Sequence, residues 1–101
     1  MLGVQIEYKN KSLEKICTIA HEAEVKHGQR MAELIHQRID EIGGFTSVEM
    51  IIQFKIGKCH ALTGDRKGQY AMNLVYPQRL VFEKCGNKGQ IVRIMEITDY
   101  H

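Results

Sequence analysis

Through the first half of the chain, apolar residues recur at three- and four-residue intervals. In SLEKICTIAHEAEVKHG the stripe is Leu13, Ile16, Cys17, Ala20 and Ala23, the period of an amphipathic helix. Ser12 can cap its start and Gly28 can end it. QRMAELIHQRIDEIGG repeats the pattern with Met31, Leu34, Ile35, Ile39 and Ile42 before a Gly43-Gly44 stop. So short a link between the two predicts a helical hairpin. Ahead of both, LGVQIEY reads as a short apolar strand. Past Phe45 the pattern weakens, and TSVEMIIQF predicts a short helix with Thr46 and Glu49 at capping-box spacing.

The period then changes to two. In QYAMNLV, Tyr70, Met72 and Leu74 take one face against Gln69, Ala71 and Asn73, and in RLVFEK, Leu80 and Phe82 oppose Arg79 and Glu83. Pro77 supplies the turn between these strands and CGNKGQ the next one. The last strand, QIVRIMEIT, looks apolar on both faces, which predicts a central place in the sheet. The whole order predicts an α+β fold, with an N-terminal strand and helical hairpin packed on a mainly antiparallel sheet, β-α-α-β-β-β-β.

Composition narrows the function classes. At 101 residues one domain, 1–101, is expected, with a single core. A net charge of +2 does not by itself announce a nucleic-acid binder, so charge placement matters more than its sum. Cys17, Cys59 and Cys85 are odd in number and include no C-x-x-C pair, which argues against a disulfide framework or zinc ribbon and for reduced thiols. No apolar run has signal-peptide or membrane-span length, so a soluble, cytoplasmic protein is expected.

Two clusters carry candidate chemistry. The final strand runs into Asp99, Tyr100 and His101, an acid, a phenol and an imidazole; alternation would put Asp99 and His101 on one face. On spacing alone this triplet reads as a solvated chain end. In GKCHALTGDRKGQY, Lys58, His60, Arg66 and Lys67 surround a turn that can present cations and backbone amides to a phosphate, and Arg79 opens a later strand. Alone, that turn is equally a polar β-turn with solvated charge.

Together these residues resemble bacterial toxins of the RelE/HigB group, which includes proteins once labelled plasmid maintenance killers. The resemblance runs from about residue 60 to 101 and rests on three separated elements: an H-x-L-x-G-D-R-x-G turn, an R-[IL]-x-F strand and a D-Y-H terminus. It implies a RelE/ParE-like fold and a ribosome-dependent endoribonuclease that cuts translated messenger RNA without metal or other cofactor. It also implies silencing by a cognate antitoxin of helix-turn-helix, HigA-like type, with DNA contacted only through that antitoxin and no membrane partner. In similar toxins the residues matching His60, Arg79, Asp99, Tyr100 and His101 form the active site. One departure is Thr63, where relatives often carry lysine; Lys58 or Lys67 would have to compensate. Another is Tyr70 in place of tryptophan, read here as sheet packing.

The chemistry can be set out without the family. A metal-free ribonuclease must deprotonate a 2′-hydroxyl, stabilise charge on the scissile phosphate and protonate the departing 5′-oxygen. General acid–base groups contribute about 10²- to 10⁴-fold each. Imidazole as a side-chain type exchanges protons near neutrality, which makes His60 and His101 the candidate proton carriers, with base and acid unassigned. Asp99 can orient His101, and Tyr100 can stack on a base. Arg79 suits the phosphate, and Lys58, Arg66 and Lys67 suit the RNA backbone. Other pairings fare worse. Cys17 and His21 lack further metal ligands, Cys59 and His60 are neighbours on a strand and point apart, and His27 and His36 read as surface positions. Two other functions share the fold: a toxin that binds DNA gyrase without cutting RNA, and a degenerate toxin kept as an antitoxin-bound regulator.

Overall fold

A computed structural model describes residues 3–85 and 91–99. Strand β1 (Gln5–Tyr8) leads into three consecutive helices, α1 (Lys11–Thr18), α2 (Ala20–His27) and α3 (Gln29–Gly44), then a short α4 (Val48–Gln53). Strands β2 (His60–Ala61), β3 (Gln69–Asn73), β4 (Arg79–Cys85) and β5 (Ile91–Thr98) follow. The five strands lie in the order β1-β5-β4-β3-β2. Only β1 and β5 run parallel; the other three pairings are antiparallel. The α+β class, the five strands and the central place of β5 therefore stand as the sequence predicts. Among the described residues no helix is long and apolar enough to cross a membrane.

The predicted hairpin is modified at its first arm. Ile19 adopts an extended conformation, φ −120° and ψ 113°, and divides one long helix into α1 and α2. Two β-branched residues, Thr18 and Ile19, are consecutive there, and the Thr18 hydroxyl donates to the Glu14 carbonyl at 2.7 Å. Such back-bonding favours a bend. Ala20 consequently lies exposed rather than on the buried stripe, while Leu13, Ile16, Cys17 and Ala23 are buried as predicted. The last turn of α1 has carbonyls without intrahelical partners. His36, read from sequence as a surface position, is half-buried on α3, and its Nε2–H donates to the Ile16 carbonyl at 3.1 Å.

The caps also shift by one or two residues. The Leu13 N–H donates to the Asn10 side chain at 2.8 Å, so Asn10 rather than Ser12 opens α1. Ser47 rather than Thr46 opens α4, accepting from the Met50 N–H at 3.4 Å, and Thr46 instead turns its hydroxyl to the Met50 sulfur. Gly28, at φ +87°, is the link between α2 and α3, a conformation that favours glycine.

The main core lies between the helices and one face of the sheet. Ile35 and Ile42 of α3 and Ile51 of α4 meet Met72, Leu80, Phe82, Val92 and Ile94 of the sheet, all fully buried. Among the described residues no α-helix packs on the opposite face. A small second cluster of Leu62, Ala71 and Val81, with Met95 packed on it, lies there.

Strand β5 carries one residue more than β4 opposite it. Phe82 pairs with Ile94, but Val81 pairs with Glu96, leaving Met95 as a bulge. Val92, Ile94 and Ile97 thereby face the main core while Arg93, Glu96 and Thr98 share the helix-free face. The strand looks apolar on both faces only when read without that extra residue.

Deletion within a central strand ordinarily flips every residue beyond it to the wrong face. Met95 is the exception, since its removal restores a regular ladder with the same faces. We expect deletion of Met95 to cost about 1–2 kcal/mol of lost packing. Deletion of Ile97, which empties its core position opposite Leu80, is expected to cost about 3 kcal/mol or more. Chemical denaturation of the two variants checks this.

Candidate active site

The helix-free face is organised by register. His60 lies opposite Ala71, Ala71 opposite Val81, and Val81 opposite Glu96. A neighbouring row contains Asn73, Arg79 and Thr98. Residues directly opposite in a ladder share a face, so His60, Arg79, Glu96 and Thr98 rise from one surface. Two strand spacings and two residues of rise separate the backbones of His60 and Arg79, roughly 12 Å. Long side chains can close on a common ligand across that interval.

His60 is exposed on the edge strand. Its Nδ1 lies 3.0 Å from the Lys58 carbonyl. A carbonyl can only accept, so Nδ1–H is the donor and the neutral ring keeps Nε2 as its acceptor. The preceding residue, Cys59, faces the other way and is buried in the main core. Burial pushes its thiol pKa up to about 12, and that of Cys17 likewise. The thiolate is the nucleophilic form, so the structure agrees with the sequence in setting aside a cysteine–histidine pair.

Lys58 is exposed and adopts a left-handed conformation, φ 56°. With Ile52, Lys55, Cys59, His60 and Ala61 it lines a hollow of about 570 Å³. No carboxylate is among these residues, so Lys55, which sequence reasoning passed over, adds a second cation beside His60.

The GDRKG turn is a single 3-10 turn over Gly64–Arg66. The Arg66 N–H donates to the Thr63 carbonyl at 3.2 Å and the Lys67 N–H to the Gly64 carbonyl at 3.1 Å. Those two amides are committed within the turn, which removes them from the phosphate cradle the sequence suggested. The Arg66 guanidinium reaches back across the sheet to Glu96 at 2.7 Å and to the Gln69 side chain at 3.3 Å. An anionic ligand at Arg66 would compete with that carboxylate. Lys67 is exposed.

Arg79 is half-buried at the start of β4. Its ladder partner Thr98 directly precedes Asp99, which is exposed. Tyr100 and His101 lie outside the described residues. The structure thus gathers His60, Arg66 and Arg79 on one face, with Lys58 beside His60 and Asp99 beyond the partner of Arg79. Glu96 was missed because the bulge hides its facing from a two-residue alternation. Among the described residues no three His, Cys, Asp or Glu side chains gather as a metal site would require.

No family model matches the sequence, and no curated protein matches it. Solved structures do match. A YoeB/ParE toxin from Agrobacterium tumefaciens superposes with a TM-score of 0.67 at 18% identity, over 97% of this chain and 100% of that one. The YoeB-YefM complex from Staphylococcus aureus gives 0.64 at 18% identity, and a YoeB dimer from the same organism 0.57 at 16%, each over 97% of both chains. The chain has the fold of these toxins.

Thiol reactivity tests the assignment of faces. At pH 8 an alkylating reagent is expected to modify half-buried Cys85 in the folded protein, whereas Cys17 and Cys59 react only on unfolding or as pH nears 12. Mass spectrometry of the modified peptides reads the order; early labelling of Cys59 contradicts it.

Proposed function

We propose that this chain is the toxin of a toxin–antitoxin pair and acts in the cytoplasm, as one domain, as a ribosome-dependent, metal-free endoribonuclease on translated messenger RNA. The observation that carries this reading is the shared face of His60 and Arg79, with Arg79 paired to the residue before Asp99. Base, cation and acid are the three requirements of cleavage by a 2′-hydroxyl.

In this reading His60 Nε2 takes the 2′-hydroxyl proton, since Nδ1–H is already engaged with the Lys58 carbonyl. The 2′-oxygen attacks phosphorus and the bond to the 5′-oxygen breaks, giving a 2′,3′-cyclic phosphate. Arg79 offers two parallel N–H groups to the phosphoryl oxygens. His101, oriented by Asp99, returns a proton to the departing 5′-oxygen, and Tyr100 supports a base. Lys58 and Lys67 hold the flanking backbone, and Arg66 joins them when RNA displaces Glu96. Because Thr63 stands where related toxins often carry lysine, Lys58 and Lys55 supply the cation beside His60.

The partner would be a cognate antitoxin of HigA-like, helix-turn-helix type, through which any DNA contact is made. Support for an antitoxin comes from the solved neighbours, which include a YoeB-YefM toxin-antitoxin complex. A second reading, a gyrase-binding toxin without nuclease activity, is favoured by two features that lower free positive charge: Thr63 and the Arg66–Glu96 ion pair.

Mapping transcript 5′ ends after brief induction separates these readings. Cuts aligned with the reading frame are expected; a DNA-damage response with intact transcripts would establish the gyrase reading instead. On the nuclease reading, His60→Ala and His101→Ala should each lower cleavage by about 10²-fold or more while ribosome co-sedimentation stays nearly unchanged. Parallel loss of both would make the histidine concerned a binding residue.

A further inference from the structure

A second hollow, of about 350 Å³, opens where β3 turns into β4, and Lys26, His27, Met31, Val75, Tyr76 and Gln78 line it. Tyr76 is 79% exposed, the most exposed of the large hydrophobic side chains among the described residues. A large aromatic ring left in water on a floppy loop would mean little, but this turn is held. The Gln78 N–H donates to the Val75 carbonyl at 2.8 Å, and the Leu74 N–H donates to the Gln78 carbonyl at 3.0 Å. Arg38 Nε–H donates to the Asn73 carbonyl at 2.7 Å at the foot of the same turn.

The lining chemistry is selective. Among the described residues it contains an aromatic ring, a cation, a side-chain amide that both donates and accepts, and no carboxylate. Burial, and then Lys26, hold the His27 imidazole below its ordinary range, so Lys26 is the cation of this hollow at neutral pH. A ring for stacking, an amide for a base edge and an ammonium for a phosphate are what single-stranded nucleic acid requires. Position adds to this, because Gln78 lines the hollow and the next residue, Arg79, opens β4 on the helix-free face. An RNA strand laid across Arg79 would meet the hollow at the end of the sheet.

We propose that this hollow is a nucleotide subsite that takes a base flanking the cleaved linkage of single-stranded RNA, with Tyr76 stacking on it, Gln78 reading its edge and Lys26 holding the adjacent phosphate. The assignment of the flanking position rests on the nuclease reading given above; the binding of RNA does not.

The test uses the full chain and a fluorescently labelled single-stranded RNA hexamer, beside cleavage mapped on translating ribosomes. Tyr76→Ala is expected to weaken hexamer binding about 10-fold and to shift which base flanks the cut. Tyr76→Phe retains both properties because the ring remains. Lys26→Ala should weaken all hexamer sequences alike and flatten the salt dependence. Circular dichroism confirms that these exposed substitutions leave the fold intact. Equal hexamer binding by wild type and Tyr76→Ala overturns the subsite, even where frame-aligned cutting upholds the nuclease. Tyr76-dependent binding by a chain that cuts nothing upholds an RNA site while removing the nuclease. If Tyr76→Ala instead abolishes antitoxin co-purification and spares hexamer binding, the face is a protein interface and the proposal fails.

Discussion

One residue too many in a central strand governs both sides of this molecule. With Met95 bulged between the partners of Val81 and Phe82, Ile97 turns inward opposite Leu80, and Glu96 and Thr98 turn outward. In a regular ladder with the same Phe82–Ile94 pairing, Glu96 would lie opposite Leu80 in the main core. An ionised carboxylate there, without a partner, would cost several kcal/mol, comparable with the whole stability of a small domain. The bulge thus serves the core first, and the facing of Glu96 toward Arg66 and of Thr98 beside Arg79 follows from it.

This explains which features a reader of the sequence can and cannot see. Periodicity identified the helical and stranded halves, the buried stripe of α3 and the central position of β5, because each depends on local spacing and burial. The division at Ile19 escaped it, since Leu13 to Ala23 fits a continuous helix and the hydroxyl of Thr18 reports no periodicity. Capping went wrong at Ser12 and Thr46 because Asn10 and Ser47, equally able to cap, stand within two residues of them. Of the candidate site, His60 and Arg79 were legible from residue type and motif. The engagement of Arg66 by Glu96 was not, because it joins a turn to a strand thirty positions later through a register that only the folded sheet defines.

The two faces of the edge strand show how closely the core and the candidate chemistry are tied. Cys59 and His60 are consecutive, yet one is buried against the helices with its thiol pushed to about 12, and the other is exposed. The turn of the chain into β2 therefore separates a buried packing residue from an exposed imidazole. On the same surface Leu62, Ala71, Val81 and Met95 form a small apolar floor beneath the turn that carries Arg66. Above that face Arg66 pairs with Glu96 at 2.7 Å, with 36% and 40% of the two side chains exposed, so solvent keeps the pair weak and open to exchange for another anion.

A single guanidinium then ties the two ends of this surface together. Arg38, on α3, donates from Nε to the Asn73 carbonyl at 2.7 Å and from its terminal nitrogen to Glu41 at 2.9 Å. It also lies against Gly57, where an added Cβ would come within 2.6 Å of Nε and where φ is +58°. Only glycine meets both conditions without strain. Asn73 begins the turn that carries Tyr76 and ends at Arg79, and Gly57 precedes Lys58 and His60. The helix layer thus meets both segments through one side chain, bonding the first and lying against the second. A hydrogen bond from a charged donor to a backbone carbonyl contributes about 1.5–3 kcal/mol, which favours one arrangement of the turn at Asn73 before any ligand arrives. Preorganisation of this kind is what a site built on strand ends and turns needs if side chains whose backbones lie roughly 12 Å apart across the sheet are to meet one ligand.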